Sequence, residues 1–237
     1  MTTKNAISAR IVAQLDAATG ARAELAAEPH ALAQRDALRT WQAGRLAGTH
    51  ADLLESPRFA KTAEFFLSDI YGPKDLSRHE EAVRRILPLM ISVLPAAGLE
   101  TVADAFELNA LSELLDAAMV AVLGDKVFEL TPADYAAAYR KVGRRQDRER
   151  QIELIMHLGQ SLDRLTRKPF LGTTLAIMRG PAAAAGLLEL QSFLERGYSA
   201  FRQMKGAAEF LETITSREKA LLESLLADGG NGSPALG

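Results

Sequence analysis

Two histidines in this chain stand four residues after an acid, a spacing that acid–base and metal chemistry both use. Asp75 and His79 lie at the end of the stretch FFLSDIYGPKD and just beyond it. With Asp75 in the turn ahead of a helix, its carboxylate could orient the His79 imidazole as a general base or a metal ligand requires. Asp69 and Tyr71 lie in the same stretch, so a helix end, a turn and a helix start bring four functional side chains to one corner. The same residues have a plain structural reading. Asp69 and Asp75 would satisfy turn amides, Tyr71 would cover the core, and His79 would be solvated beside Glu80 and Glu81. On either reading the acids are expected nearer the surface than the aromatics.

Glu153 and His157, in ELIMH, share one helix face. Di-metal bundles use Glu-x-x-His on two helices with two further glutamates, and here the spacing is one residue too long. HExxH is absent as well. A hydrogen-bonded, partly buried His157 is therefore the expectation, and no metal site is assigned. The basic run from Arg140 to Lys168 offers different chemistry. Arg140, Arg144 and Arg148 recur every four residues, so a continuous helix would align them as a ridge facing an anion. Asp147, Glu149, Glu153 and Asp163 intersperse the run, and the competing reading is a solvated face of ion pairs. No aromatic residues interleave these arginines, which argues against single-stranded nucleic acid.

Composition narrows the classes further. The chain has 237 residues, is 48% hydrophobic, and carries 28 basic against 30 acidic side chains for a formal charge of -2. No global field steers it toward nucleic acid or an anionic membrane. The absence of cysteine removes disulfides, thiolate catalysis and cysteine-held metals. No apolar run reaches the ~20 residues of a membrane span, and the first residues lack a secretory pattern, so a cytoplasmic protein is expected. Walker, dinucleotide, GxSxG and kinase signatures are missing.

The elements that must position these groups are helices, because apolar residues recur at spacings of three and four and no useful stretch alternates with period two. The expectation is an all-α, single-domain bundle of about seven to nine helices over residues 1–226, with 1–28 loosely packed and 227–237 a disordered tail. Residues 4–18 form a short helix closed by Gly20 on this reading. Prolines should mark first turns or linkers, Pro181 among them, while Pro88 falls inside a helix. Thr131, Pro132 and Asp134 combine an N-cap, a first-turn proline and an early acid, the clearest helix start in the chain.

FFLSDIYGPKD, RERQIELI and the closing FLERGYSAFRQMKGAAEFLETITSRE together resemble a family of uncharacterised bacterial helical proteins with an FFLxDLYGP-like hallmark, over about Trp41 to Glu218. The resemblance implies kinship and carries over no catalytic residue. Length and helix count are similar to heme-oxygenase-like and TenA-like bundles by fold analogy alone.

The reading is a binding or interaction protein, open to forming a homodimer, that presents the corner at 65–79 and the arginine ridge to a protein partner or a small anionic ligand. Its rival is an enzymatic or cofactor-binding bundle with an apolar pocket between helices, using His157 or His50, with Asp69, Asp75 and Tyr71 at its mouth. The residues name no cofactor and do not decide whether the protein is an enzyme. Membrane insertion is not expected, and nucleic-acid binding is the least favoured class.

Overall fold

The computed structural model describes residues 3–26, 28–70, 77–93, 95–184, 186 and 188–227. Tyr71, Asp75 and residues 228–237 lie outside the described residues, and His79 is described only as part of a helix backbone. The chain is all-α, and no strand occurs among the described residues. Among the described residues eleven α-helices follow in order: α1 Thr3–Ala26, α2 Pro29–Thr49, α3 Ala51–Glu55, α4 Ala60–Phe65, α5 Ser77–Val93, α6 Ala96–Leu123, α7 Pro132–Val142, α8 Arg145–Thr166, α9 Leu171–Ala184, α10 Leu188–Met204 and α11 Ala208–Leu226. A π-helical turn, Phe66–Ile70, extends α4, and a 3-10 stretch, Gly124–Glu129, links α6 to α7. Nine of the α-helices have eleven residues or more, which is the upper end of the expected number.

The longest helix is α6, with 28 residues and so a length of about 42 Å. It is apolar on several sides, and a helix of that kind is stable only when surrounded. Accordingly α1, α2, α7 and α8 all pack on it. Around this axis the core has three parts. One joins α1, α5 and α6 through Ile11, Leu15, Val83 and Leu99. Another joins α2, α6, α7 and α11 through Leu38, Met119, Tyr135 and Leu225. The third gathers Phe65, Phe66, Phe201 and Phe210 between α4, the π turn, α10 and α11.

Three expectations are corrected. The first helix does not stop at Gly20 but continues to Ala26. Nor is it loosely held: Ile11, Leu15 and Ala18 are 0% exposed. A helical glycine costs only about 1 kcal/mol, which burial of that apolar stripe against α6 readily offsets. Second, Pro181 lies inside α9 and not at a boundary, while α5 runs through Pro88 as expected. Third, the continuous helix that an arginine ridge would need does not form, and of the two courses open to this segment the chain takes the one that ends at Gly143, so α7 and α8 are separate. Gly143 (φ 63°) and Arg144 (φ 55°) both adopt the left-handed region, which no continuous α-helix accommodates.

The helix start at 131 forms as the residues dictate. Thr131 accepts a hydrogen bond from the Asp134 amide at 3.1 Å, and Pro132 occupies the first turn.

Candidate functional site

The break at Gly143 and Arg144 decides where the arginines go. Arg140 stays on α7, exposed, within 3.4 Å of the Leu225 carbonyl. Arg144 is exposed and donates to Asp147 at 2.6 Å. Arg148 is turned inward and only 7% exposed. No ridge of three arginines exists, because a helix that ends and restarts in a new direction loses its four-residue register. Half of the other cations in the run are paired with acids: Arg145 with Glu223 and Glu149, Arg150 with Glu107, and Arg167 with Asp163.

The corner also resolves differently. Asp69, expected near the surface, is 7% exposed. Arg196 of α10 grips it with both ends of its fork, Nη2 to Oδ1 at 2.5 Å and Nε to Oδ2 at 3.2 Å, while the Ser68 hydroxyl donates at 2.9 Å. Asp69 stands seven residues after Thr62 and four after Phe65, both buried, and so shares their inward helical face. His157, expected to be partly buried, is exposed, because α8 buries Ile152, Leu154, Ile155 and Gly159 on its other side. Glu153 is exposed too and pairs with Arg150. Among the described residues no group of three or more histidine or acidic side chains could hold a metal ion, and no helix is long and apolar enough to cross a membrane.

The polar chemistry lies instead inside the bundle. On α2, Arg35, Arg39, Gln42 and Arg45 recur at helical spacing and form one inward stripe. Opposite them α6 carries Glu113 and Asp116, 3% and 7% exposed. Glu113 lies 3.3 Å from Arg22, 2.9 Å from Arg39 and 3.7 Å from Arg35. Asp116 accepts from Arg39 Nε at 2.8 Å. Burial pushes the Asp116 carboxyl up, against the pull of Arg39. Further along, Glu218 of α11 accepts from Arg45 at 2.8 Å and lies 3.3 Å from His50 Nε2. Burial would raise Glu218, but the His50 contact and the Arg45 charge more than offset that and hold it below the usual carboxylate range.

These groups border a cavity of about 120 Å³ between α2, α6, α7, α8 and α11. Its polar lining is Gln42, Arg45, Ser112, Asp116, Tyr135, Tyr139, Arg148, Gln151 and Glu218. Trp41 stacks on Tyr135 with ring centroids 4.4 Å apart and fixes that ring. Arg148 reaches the cavity from the first turn of α8. Its guanidinium lies 3.5 Å from the Tyr139 ring centroid, and Nε donates to the Gly143 carbonyl at 3.1 Å. Nη2 is buried without a hydrogen-bond partner, and among the described residues no carboxylate lies within ion-pair distance of Arg148.

The two tyrosines respond to this enclosure. Burial raises Tyr135 and pushes Tyr139 up to about 12 from 10, against the pull of Arg148. A phenol that ionises less readily when folded stabilises the fold fully below pH 10, and that stabilisation is lost as pH rises through about 12. Tyr139 is therefore expected to make stability fall by roughly 2–3 kcal/mol across this window. Urea titrations near neutrality and at about pH 11 check this: Tyr139→Phe should flatten the alkaline loss, and an unchanged loss would remove Tyr139 as its source.

Of the described side chains expected to matter, only Arg148 lines the cavity, while His50 stands one contact behind it through Glu218. Glu113, Asp116, Arg39, Arg45 and Glu218 were missed. A signal for the first two does exist: they interrupt the otherwise apolar run ALSELLDAAMVAVL, where a surrounded helix must pair its acids.

The model of a protein family described as a domain of unknown function, DUF8198, matches residues 21–231. That match takes in the whole stretch from Trp41 to Glu218. No curated protein and no solved structure matches the chain.

Proposed function

We propose, for a chain that belongs to the DUF8198 family, a domain of unknown function, that it is a binding protein taking a small anionic ligand into the cavity between α2, α6, α7, α8 and α11. One observation carries this reading: Arg148 is 7% exposed, has no carboxylate partner, and keeps one buried nitrogen without an acceptor. A buried cation that is not matched costs several kcal/mol, and a bound anion would remove that cost. The neighbouring arginines differ in having carboxylate partners, Arg39 with Asp116 and Glu113, and Arg45 with Glu218.

A cytoplasmic protein, alone or as a homodimer, fits this reading, because one chain supplies the whole lining. The corner at 65–79 serves it indirectly, with the Asp69–Arg196 clamp joining the π turn to α10. The enzymatic alternative would depend on His50, which is held by Glu218 and does not line the cavity.

The test compares wild type with Arg148→Met in thermal melts with sodium formate and with sodium chloride at equal ionic strength. A ligand at ten times its Kd stabilises the folded state by about 1.4 kcal/mol, so wild type should melt at a higher temperature in formate and the variant should not. Equal responses of the two proteins would overturn the reading.

A further inference from the structure

The geometry points to a compact monocarboxylate of about six heavy atoms, with a short branched apolar body, as the ligand class of this cavity. This rests on the small-anion reading above and adds charge, size and polarity to it.

Charge comes first. Every other arginine at the cavity or in the wall behind it already faces an acid: Arg39 with Asp116 and Glu113, Arg45 with Glu218, and Arg22 with Glu113. Among the described residues Arg148 is the one arginine lining the cavity with no acid within ion-pair distance, so the site has room for one negative charge. A dianion would need a second unmatched cation, and it would sit beside Asp116 and Glu218, which also line the space. A neutral guest would leave the Arg148 charge uncompensated, and water would satisfy its hydrogen bond without neutralising it.

The donor geometry favours a carboxylate. A guanidinium is a planar fork suited to a planar acceptor pair, and Nε is already committed to the Gly143 carbonyl, which leaves the outer edge to meet the guest. Tyr139, against the same guanidinium, keeps its phenol proton far above neutral pH and so places a neutral hydroxyl and not a second negative charge beside it.

Size and polarity follow from the opposite wall. Leu115, Met119, Ile152, Ile155, Leu222 and Leu225 supply an apolar surface. The cavity is about 120 Å³. An apolar cavity of ~150 Å³ accepts benzene, so a guest of about six heavy atoms fits and a drug-sized one does not. A formate-sized anion would answer Arg148 but leave the apolar wall uncovered, forgoing roughly 0.8 kcal/mol for each buried CH₂ group.

The experiment titrates the full-length protein by calorimetry with isobutyrate, its neutral isostere isobutyramide, formate and inorganic phosphate at fixed ionic strength. Isobutyrate is expected to bind at least about tenfold more tightly than each of the other three, the effect of a difference near 1.4 kcal/mol. If formate or phosphate binds as well as isobutyrate, the small-anion reading stands and the monocarboxylate class is overturned. If isobutyramide matches isobutyrate, the site does not read charge, and both inferences fail. If none of the four binds, both fail as well. The comparison uses only the wild-type chain, so no outcome depends on a variant folding.

Discussion

Replacing Glu113 with alanine is expected to destabilise the protein by roughly 3–5 kcal/mol, the cost of removing one partner from a buried charge network. Glu113 is 3% exposed and stands within 3.7 Å of three arginines that come from two other helices. Arg39 keeps Asp116 and Arg35 keeps the exposed Asp36, but both lose, together with Arg22, the one carboxylate that all three share. The variant therefore leaves buried positive charge where α1, α2 and α6 meet. Against a typical margin of ~5–15 kcal/mol, much of the stability is at stake. Glu113→Gln keeps the shape but removes the charge, and it should fall on the same side. Urea unfolding of both variants decides the matter: losses below about 1 kcal/mol would mean that the arginines relax to water and that the network is not structural.

The second large effect belongs to the hallmark. Phe66→Ala is expected to cost ~3–5 kcal/mol, because the ring is 3% exposed and its contacts cannot close over the gap. Phe210 and Phe201 stand with centroids 5.4 and 6.0 Å away, each from a different helix, so the cavity would open among rigid neighbours. Thermal melts should place Asp69→Asn closer to Phe66→Ala than a surface acid would come, with a loss on the order of 2 kcal/mol, since hydrogen bonds to a charged partner are the stronger ones. A wild-type melting temperature for Asp69→Asn would show that the Arg196 clamp holds nothing together. The acid is thus an anchor of the fold, where the linear sequence suggested a surface group.

The reason for that difference is specific. Asp69 follows the buried Thr62 by seven residues, Phe65 by four and Phe66 by three, so helical periodicity alone puts it on the face that turns into the aromatic core. What the linear chain does not show is Arg196, 127 positions away, whose guanidinium makes burial of that charge tolerable. Gly20 teaches the same lesson in the opposite sense. Glycine commonly ends helices, but here nothing lies within 4 Å of its missing side chain, and the buried stripe on either side carries α1 through it.

What the sequence determined by itself was what depends on near neighbours. Helical class follows from apolar periodicity, the start of α7 from the Thr131 hydroxyl reaching Asp134, and the end of α6 from Gly124 at φ 53°. Each of these is settled within a few residues. The cavity is of another kind. Arg39 meets Asp116 across 77 positions, and Arg45 meets Glu218 across 173. Electrostatic matching acts through space at a few ångströms, so which acid answers which arginine is decided only when the helices have packed. The chain contains 28 basic side chains, and its arginines are all equivalent as letters. That Arg148 is, among the described residues, the arginine left buried without an acid is a property of what remains after the others have paired, and only the tertiary structure carries out that pairing.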